Sequence, residues 1–494
     1  MNRLENGSES GSGGGSGTPL VRVAVVGHTN TGKTSLLRTL TRDTGFGEVS
    51  SRPSTTRHVE GARLSADGVP VLELYDTPGM EDASALFDWM EEAEAVQRAG
   101  AGERRDGPAR VMHFLQSEVA GARFEQEAKV LRQLGASDAG LYVIDARDPV
   151  LGKHRDELEI LAMCARPLLP VLNFVSDPRA NETRWREALA RLGLHAVIRF
   201  DTVTPERDGE ALLYGKLATL LDAHRAAFNR LIESRTCEAQ ARHDAALRRV
   251  ADLLLDVSAC RLTVSEGDEQ ASEAARQRMN DFVRDCEQRC VRDLLALYRF
   301  SDSEVLDSGW PLVEGRWEDD LFNPETLRQA GLRVGSGAAA GAAAGLGVDM
   351  LFGGMTLGGA AALGALAGGG MQAVRQFGGR LRDRLSGRQS LSVDDAVLTL
   401  LALRAVYLVE ALEQRGHAAT RPVERFMREG SEAFARVIAD TLAPARAHPE
   451  WSSLEGAAEQ GAGFERQAQS LAKALAMLHA RLQLPEALQK EAGV

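Results

Sequence analysis

The sequence predicts an α/β domain followed by an all-α domain. Three observations support this: β-branched apolar runs alternate with helical segments up to about residue 225, the strand signal then disappears, and long Ala/Leu/Arg/Glu patterns follow. Strands that alternate with helices are typical of a mostly parallel sheet flanked by helices. A chain of 494 residues also exceeds the usual domain size, which indicates at least two packed units.

The first domain is predicted over residues 20–225, after a Gly/Ser-rich tail at 1–19 that has no apolar segment of a secretory signal. Its strands are expected in the runs LVRVAVVG, VLELYD, GLYVID, LLPVLNFV and HAVIRF. The helices between and after them are expected at 34–41, 84–99, 123–134, 154–164, 182–192 and from about 207. This order of elements places polar strand ends at one edge of the sheet.

Composition excludes several classes of protein. With 44% hydrophobic and 26% charged residues, the chain is not wholly disordered, fibrous or a polytopic membrane protein. The net charge of −12 gives no global basic surface, so RNA is a less favoured partner. The five scattered cysteines contain no CxxC pair, which is typical of reduced thiols. We therefore expect a cytoplasmic protein.

A phosphate-binding loop is predicted directly after the first strand. Residues 27–34 read GHTNTGKT and fit the pattern GxxxxGK[ST] between the strand VRVAVV and the helix SLLRTL. In such a loop the backbone N–H groups face the phosphates, Lys33 reaches the β- and γ-phosphates and Thr34 binds Mg²⁺. The predicted nucleotide-contacting residues here are Gly27, Asn30, Thr31, Gly32, Lys33, Thr34 and Ser35.

Two later segments are expected to join this loop. Asp76 ends the strand VLELY and is placed to hold Mg²⁺, usually through water, and the N–H of Gly79 can bind the γ-phosphate. The polar residues STTRH at 54–58 could supply a hydroxyl to the ion only while the γ-phosphate is present. Loss of that phosphate is expected to release residues 48–60 and 79–92, which makes them a predicted switch.

The order GxxNxGKT, TTRH, DTPG and VIDAR resembles the Era and tRNA-modification branch of translation-factor-type GTPases, over about residues 20–225. The resemblance implies a P-loop NTPase G domain that hydrolyses GTP to GDP and phosphate with Mg²⁺, with Lys33, Thr56 and Gly79 as catalytic residues. It assigns the magnesium-binding hydroxyl of the switch loop to Thr56 first and Thr55 second. In this branch an Asn at the position of Asn30 accompanies a K⁺ ion that assists hydrolysis; a purely structural role of Asn30 is the alternative.

Two positions depart from the GTPase pattern. Met80 stands where signalling GTPases carry a water-positioning Gln, so slow intrinsic turnover is expected. The guanine-reading pattern NKxD is replaced by NFVSD at 173–177: Asn173 is in place, Phe174 could cover the base, and Asp177 lies one residue too far along. Guanine specificity is expected if a bulge brings Asp177 back; a shared preference for purine nucleotides or a weaker site is the alternative.

The second half is divided into helical regions at 226–333 and 375–494 and a Gly/Ala-rich helical hairpin at 334–374. Glycines recur there every fourth residue, which allows close helix approach, but so much glycine is a poor helix former in water. The hairpin must therefore be embedded. A bilayer is favoured over a protein core or oligomer interface, with Asp349 tolerated only at the hairpin turn.

These features favour a GTP-controlled switch that binds membrane lipid through residues 334–374, as a peripheral or monotopic protein at the cytoplasmic face of the inner membrane; a monotopic or re-entrant hairpin is favoured over a true span. The arrangement resembles a bacterial family in which an Era-like G domain precedes a C-terminal domain of unknown function. Two alternatives stay open: a soluble GTPase of tRNA modification or ribosome assembly, and a nucleotide-gated scaffold with little turnover. A homo-oligomer is compatible with each of them.

Overall fold

The computed structural model describes most of the chain in two compact units, Met1–Cys237 and Glu238–Val494. The described residues are 20–41, 60–99, 103–203, 206, 208–300, 311–313, 316–330, 348–350, 388–413, 435–456, 458 and 460–482. Thr55, Thr56 and the tail at 1–19 lie outside them, as does the Gly/Ala-rich segment 334–374 apart from 348–350.

A six-stranded sheet lies at the centre of the first unit, in the order β2-β3-β1-β4-β5-β6. Strand β2 is antiparallel to β3 and the other neighbours are parallel, which confirms the predicted mostly parallel sheet. The strands are β1 (Val21–Val26), β2 (Glu60–Ala66), β3 (Val69–Asp76), β4 (Ala139–Asp145), β5 (Leu168–Asn173) and β6 (Ile198–Arg199).

Strand β2 was not predicted, although the sequence holds its signal. Ala62, Leu64 and Ala66 are buried at alternate positions, and a two-residue Asp67-Gly68 turn with φ of 52° and 77° joins β2 to β3. An Asp-Gly pair at positive φ is a preferred connection of a two-stranded hairpin. The edge strand therefore follows from local turn chemistry rather than from an apolar run.

Helices cover both faces of this sheet. They are α1 (Lys33–Thr41), α2 (Ala83–Ala99), α3 (Gly107–Leu115), α4 (Glu125–Gly135), α5 (Gly152–Ala162), α6 (Glu182–Arg191) and α7 (Gly209–Leu220). Val23 and Val25 of β1 pack into one buried cluster with Leu36, whereas Ala24 and Val26 pack into a second cluster on the other side. Because successive strand residues point to opposite faces, β1 is buried on both sides and its polar functions are confined to its end.

The second unit is largely helical, as predicted. Its helices are α8 (Arg225–Ala259, in this unit from residue 238), α9 (Glu269–Leu297), α10 (Pro324–Gln329), α11 (Asp395–Glu413), helical residues 435–442 and α12 (Ala462–Leu482). Helix α11 is buried along nearly its whole length, from Ala396 to Leu412, which makes it the central helix of one apolar core. Within the described parts of the chain, no helix combines the length and the apolarity that a bilayer crossing requires.

A small antiparallel sheet corrects the prediction that the region after residue 225 is purely helical. Strand β7 (Arg261–Ser265) pairs with β11 (Arg388–Val393), which also pairs with β10 (Val348–Met350). A two-stranded ribbon joins β8 (Leu312–Val313) to β9 (Arg316–Trp317). These strands are two to six residues long, so their alternation is too brief to stand out between long helical patterns.

Strand β10 falls inside the segment predicted as a helical hairpin. Asp349 lies opposite Ser392 of β11, in an antiparallel pair, where the prediction placed the turn between two helices. The backbone polar groups of these three residues therefore find their partners in a neighbouring strand. The two predicted helical arms, on either side of 348–350, lie outside the described residues.

Candidate nucleotide-binding site

The phosphate-binding loop connects β1 to α1, and two glycines set its shape. Gly27 and Gly32 have φ of 141° and 90°. A Cβ atom at Gly27 would lie 2.5 Å from the carbonyl oxygen of Val143, and one at Gly32 would lie 2.3 Å from Nδ2 of Asn173. Only glycine fits both the backbone angle and the space. Helix α1 begins at Lys33, so its unpaired N–H groups face the loop.

The other predicted loop residues take different positions. Asn30 is exposed at the tip with φ of 62°, a left-handed conformation that Asn tolerates better than most residues. Thr31 is buried and its hydroxyl donates to the carbonyl oxygen of His28 over 3.1 Å. Ser35 lies in the first turn of α1. The exposed tip leaves Asn30 accessible from solvent, and its contact with K⁺ stays a prediction.

Lys33 is buried inside the loop. Its Nζ donates to the carbonyl oxygens of Gly27, over 3.2 Å, and His28, over 2.6 Å. Burial lowers the pKa of Lys33 to about 8, and the negative charges of Asp76 and Glu157 oppose that shift. A phosphate beside Nζ would add negative charge and favour the ammonium form, so the loop is prepared for an anion.

Thr34 and Asp76 meet where α1 begins and β3 ends. The Thr34 hydroxyl donates to Oδ2 of Asp76 over 2.6 Å, and the Asp76 side chain is almost fully buried. Hydroxyl and carboxylate oxygens are the hard donors that Mg²⁺ prefers. The residues present at this point therefore fit a magnesium ion next to the phosphate loop.

Residues 77–80 pack directly against the loop. The Thr77 hydroxyl donates to the carbonyl oxygen of Val25 over 2.7 Å, and the Met80 N–H donates to that of Gly27 over 3.3 Å. A Cβ atom at Gly79 would lie 2.5 Å from Cγ2 of Thr29, which shows how closely the two backbones approach. Met80 is fully buried in an apolar cluster, so its side chain is not available to orient a water molecule.

Asn173 connects the phosphate loop to two other loops. Its Nδ2 donates to the carbonyl oxygen of Thr31 over 3.0 Å, and its Oδ1 accepts from the backbone N–H groups of Phe174 and Thr202, both over 2.9 Å. The Thr202 hydroxyl also donates to Oδ1, over 3.1 Å. The sequence places the last base-contacting loop near residues 201–204, but it did not indicate the contact of Thr202 with Asn173, which spans 29 residues.

Phe174 stands at the mouth of the site in a left-handed conformation, with φ of 56°. The guanidinium carbon of Arg147 lies 4.0 Å from the centroid of its ring, and Arg147 is itself held by Asp145 through hydrogen bonds of 2.9 and 2.6 Å. This stacked pair fixes the ring. Arg147 belongs to the VIDAR motif, so the sequence named the motif without indicating this contact.

Asp177 is held by its neighbour Arg179. The Arg179 Nε and Nη2 groups donate to Oδ1 and Oδ2 of Asp177 over 3.0 and 2.8 Å, and this pairing lowers the pKa of Asp177 below its usual range. Both carboxylate oxygens are engaged. The structure thus pairs Asp177 with Arg179, and a contact of Asp177 with guanine stays a prediction.

Comparison with known protein families gives two matches. Residues 186–476, more than half of the sequence, match the family model described as a domain of unknown function, DUF3482. The chain belongs to the DUF3482 family. Residues 22–174 match the family model described as 50S ribosome-binding GTPase, so this DUF3482 protein carries a GTPase-type domain at its N-terminal end.

Solved structures similar to this DUF3482 protein include three GTPases. Era in complex with MgGDPNP and nucleotides 1506–1542 of 16S ribosomal RNA has 16% identity and a TM-score of 0.28, over 40% of this chain and 56% of the Era chain. The G domain of the T. maritima FeoB iron transporter has 20% identity and a TM-score of 0.25, over 41% of this chain and 99% of that chain. Bacterial selenocysteine-specific elongation factor EF-Sec has 14% identity and a TM-score of 0.26, over 41% and 29%. Comparison with curated proteins gives no match.

A buried polar network behind the loop of this DUF3482 protein was missed by sequence reasoning. Glu157 of α5 is fully buried; its Oε2 accepts from the Tyr142 hydroxyl over 2.7 Å, and its Oε1 lies 2.7 Å from Nδ1 of His28. Lys153 donates to Nε2 of His28 over 2.8 Å. The side chain of His28 thus ties the phosphate loop to α5. Because His28 and Glu157 are 129 residues apart, no local pattern could indicate the contact.

Proposed function

We propose that this protein binds GTP and hydrolyses it to GDP and phosphate, and that the nucleotide state controls the helical unit. The observation that carries the proposal is the meeting of Lys33, Thr34 and Asp76 around a loop shaped by two glycines, within residues that match a GTPase family model. A phosphate-binding backbone, a lysine and a magnesium-binding pair are the parts that phosphoryl transfer requires.

Each of these residues has a role in the proposed reaction. Lys33 exchanges its two carbonyl partners for oxygens of the β- and γ-phosphates, and the Gly79 N–H donates to the γ-phosphate. Thr34 and Asp76 would hold Mg²⁺, and Thr56 remains the predicted third oxygen donor. The ion neutralises charge on the phosphate oxygens when it is bound. The buried Met80 offers no polar group for the attacking water, which supports the proposal of slow turnover.

The base end of the site supports a proposal of weak guanine selectivity. Phe174 covers the purine ring, and Asn173 fixes the backbone on which the base rests. Because Arg179 engages both oxygens of Asp177, the two hydrogen bonds that a carboxylate normally accepts from guanine are not supplied by this residue. We therefore expect discrimination between GTP and ATP to be smaller than in a GTPase with an intact NKxD pattern.

Replacement of Lys33 tests the proposed reaction. In Lys33→Ala, loss of charge-assisted hydrogen bonds of about 1.5–3 kcal/mol should weaken binding of a fluorescent GTP analogue by about 10- to 150-fold and abolish phosphate release. Lys216→Ala, at an exposed lysine of α7, is the matched control and should keep wild-type affinity. Tight binding by Lys33→Ala, with the far-UV spectrum of the wild type, would contradict the site.

A ribosomal partner is a second candidate, favoured by one observation. The family model matched by residues 22–174 is described as 50S ribosome-binding GTPase. Sedimentation of the purified protein with 50S subunits, in the presence of a non-hydrolysable GTP analogue and at 200 mM salt, would support it. Protein that stays in the supernatant with both GDP and the analogue would contradict it. The net charge of −12 makes nonspecific RNA binding a weak competitor in this assay.

Membrane association through residues 334–374 also remains part of the proposal, and it rests on composition alone. Fractionation of cells that produce the full chain is the direct test. Protein that stays in the membrane pellet after high-salt and alkaline extraction would support an embedded hairpin, because both treatments remove peripheral proteins. Protein that is released by salt, or never sediments, would direct the search to a packed protein core or an oligomer interface instead.

A further inference from the structure

Three helices of the second unit bring two histidines and a glutamate together. His243 lies on α8, Glu413 on α11 and His479 on α12, and one donor atom from each lies within 4.8 Å of the others. The closest pair is Nδ1 of His243 and Oε1 of Glu413, at 2.6 Å. Among the residues that the structure describes, this is the one group of three or more metal-ligating side chains found so close together.

Two further side chains lie next to this cluster. Glu410 lies one helical turn before Glu413, and its Oε2 is 3.9 Å from Nε2 of His479. The Tyr298 hydroxyl donates to Oε1 of Glu413 over 3.2 Å. The exposed fractions of the side chains are 15% for His243, 11% for Glu413, 2% for His479 and 13% for Glu410. The cluster is therefore largely removed from solvent, yet solvent still reaches its His243 side.

A simple ion pair accounts for only part of this arrangement. One histidine would be enough to pair with Glu413, but the rings of His243 and His479 are stacked, with centroids 5.4 Å apart and planes at 18°. A divalent cation bound by both imidazoles and the carboxylate gives all three side chains one common partner.

We propose that His243, His479 and Glu413 bind a divalent transition-metal ion, with Zn²⁺ as the best match, and that Glu410 is a fourth oxygen donor. Two imidazole nitrogens and a carboxylate oxygen form a common zinc donor set. Donors about 2.1 Å from a tetrahedral ion lie about 3.4 Å apart, so a separation of 4.8 Å must shorten by about 1.4 Å and the 2.6 Å contact of His243 with Glu413 must lengthen, which side-chain rotation can provide. Tyr298 then orients Glu413 from behind, as hydrogen-bonded neighbours commonly do at metal sites.

The proposed ion connects α8, α11 and α12, which are far apart in sequence. Metal binding that requires a folded arrangement of ligands contributes to folding stability. Its expected role is therefore to hold the helical unit together, and this role does not depend on the proposed GTPase activity. The solvent-facing side near His243 leaves a path by which a free ion can enter.

The test uses the untagged full chain, because a polyhistidine tag would itself bind metal. The protein is stripped with EDTA, dialysed, and titrated with Zn²⁺ and with Co²⁺, whose visible absorption reports nitrogen and oxygen ligands. We expect about one ion per chain after dialysis against limiting Zn²⁺, a Co²⁺ band that Zn²⁺ abolishes, and a higher Tm with metal than without. Absence of a Co²⁺ band together with a Tm that Zn²⁺ does not change would overturn the proposal.

A pair of variants separates ligands from bystanders. His243→Gln/Glu413→Gln changes two of the three clustered ligands and should lose the Co²⁺ band and the Zn²⁺-dependent rise in Tm. His448→Gln is the matched control, because His448 lies in the same unit and pairs with Glu450 at 2.7 Å outside the cluster; it should retain both. Equal metal binding by the double variant and the wild type would contradict the assignment. If the double variant does not fold, the wild-type titration alone decides.

Discussion

The phosphate end of the nucleotide site is formed mainly by backbone groups, whereas the base end is formed by side chains. At the phosphate end, backbone groups form the cradle, and Gly27 and Gly32 allow the chain to approach within a distance that no side chain tolerates. At the base end, the contacts come from side chains at the end of β5 and in the loop that follows it, among them Asn173, Phe174 and Asp177. Few substitutions are tolerated where the backbone itself forms the phosphate site. At the base end, a change in one pair of side chains can alter base selectivity without disturbing phosphate binding.

The largest effect is expected from a substitution that disrupts the backbone of the phosphate-binding loop. Gly32→Ala combines a φ of 90° with a Cβ that overlaps Nδ2 of Asn173, and overpacking of this kind costs about 1–3 kcal/mol. We expect affinity for Mg-GTP to fall by about 100-fold, measured by titration calorimetry. Gly68→Ala is the control, because Gly68 has φ of 77° but nothing within 4 Å of its Cβ position. Equal effects of both changes would show that backbone strain alone matters.

A comparable effect is expected at the residue that joins the two ends. Asn173→Ala leaves the carbonyl oxygen of Thr31 and the N–H of Thr202 without their bonds to this side chain, a loss of about 1–3 kcal/mol or roughly 5- to 150-fold in affinity. Asn181→Ala removes a helix cap, because Asn181 accepts from Arg184 N–H, and should lower stability by about 1 kcal/mol while nucleotide affinity is kept. Unchanged nucleotide affinity in Asn173→Ala would contradict the proposal that Asn173 links the phosphate end to the base end.

The charge of Lys33 predicts a pH effect at the phosphate end. With a pKa near 8 in the free protein, Lys33 is protonated at pH 7, and binding to phosphate requires that proton. Affinity for Mg-GTP should therefore fall by about tenfold between pH 7 and pH 9. In the free protein the sign for stability is opposite: the unfolded chain binds the proton more tightly, so this group's contribution rises with pH between about 8 and 10.5. An affinity that is flat across this range would contradict a phosphate role for Lys33.

The smallest expected effect concerns nucleotide selectivity at the base end. Arg179→Ala releases the carboxylate of Asp177, and because the pair is exposed, a gain of about two- to fivefold in the ratio of GTP to ATP affinity is expected. Arg186→Ala, which removes a comparable exposed pair with Glu182 on α6, should leave that ratio unchanged. If the ratio does not rise in Arg179→Ala, the position of Asp177 in the chain, rather than its partner, keeps it from the base.

The sequence predicted the phosphate end because its information is contiguous. Residues 27–34 contain the glycines, the lysine and the threonine in one motif, and a strand and a helix flank it. The mostly parallel sheet followed from the same local signals. Contacts that join distant residues could not be predicted: His28 meets Glu157 across 129 residues, and Arg261 pairs with Ser392 in a sheet that the sequence did not indicate. Asp177 illustrates a third case, because its neighbour Arg179 was visible in the sequence but their pairing depends on the turn between them.

The hydrogen bonds of Lys33 within the loop also affect the expected rate of nucleotide binding. The ammonium group of Lys33 spans the loop, bonded to the carbonyl oxygens of Gly27 and His28. The cradle is thereby held in shape by a cation of the chain itself. When a nucleotide binds, Lys33 exchanges its carbonyl partners for phosphate oxygens, and the loop does not have to form anew. Little conformational change is therefore needed before binding. Association should accordingly follow a single exponential whose rate grows in proportion to nucleotide concentration, without the plateau that a slow loop rearrangement would impose.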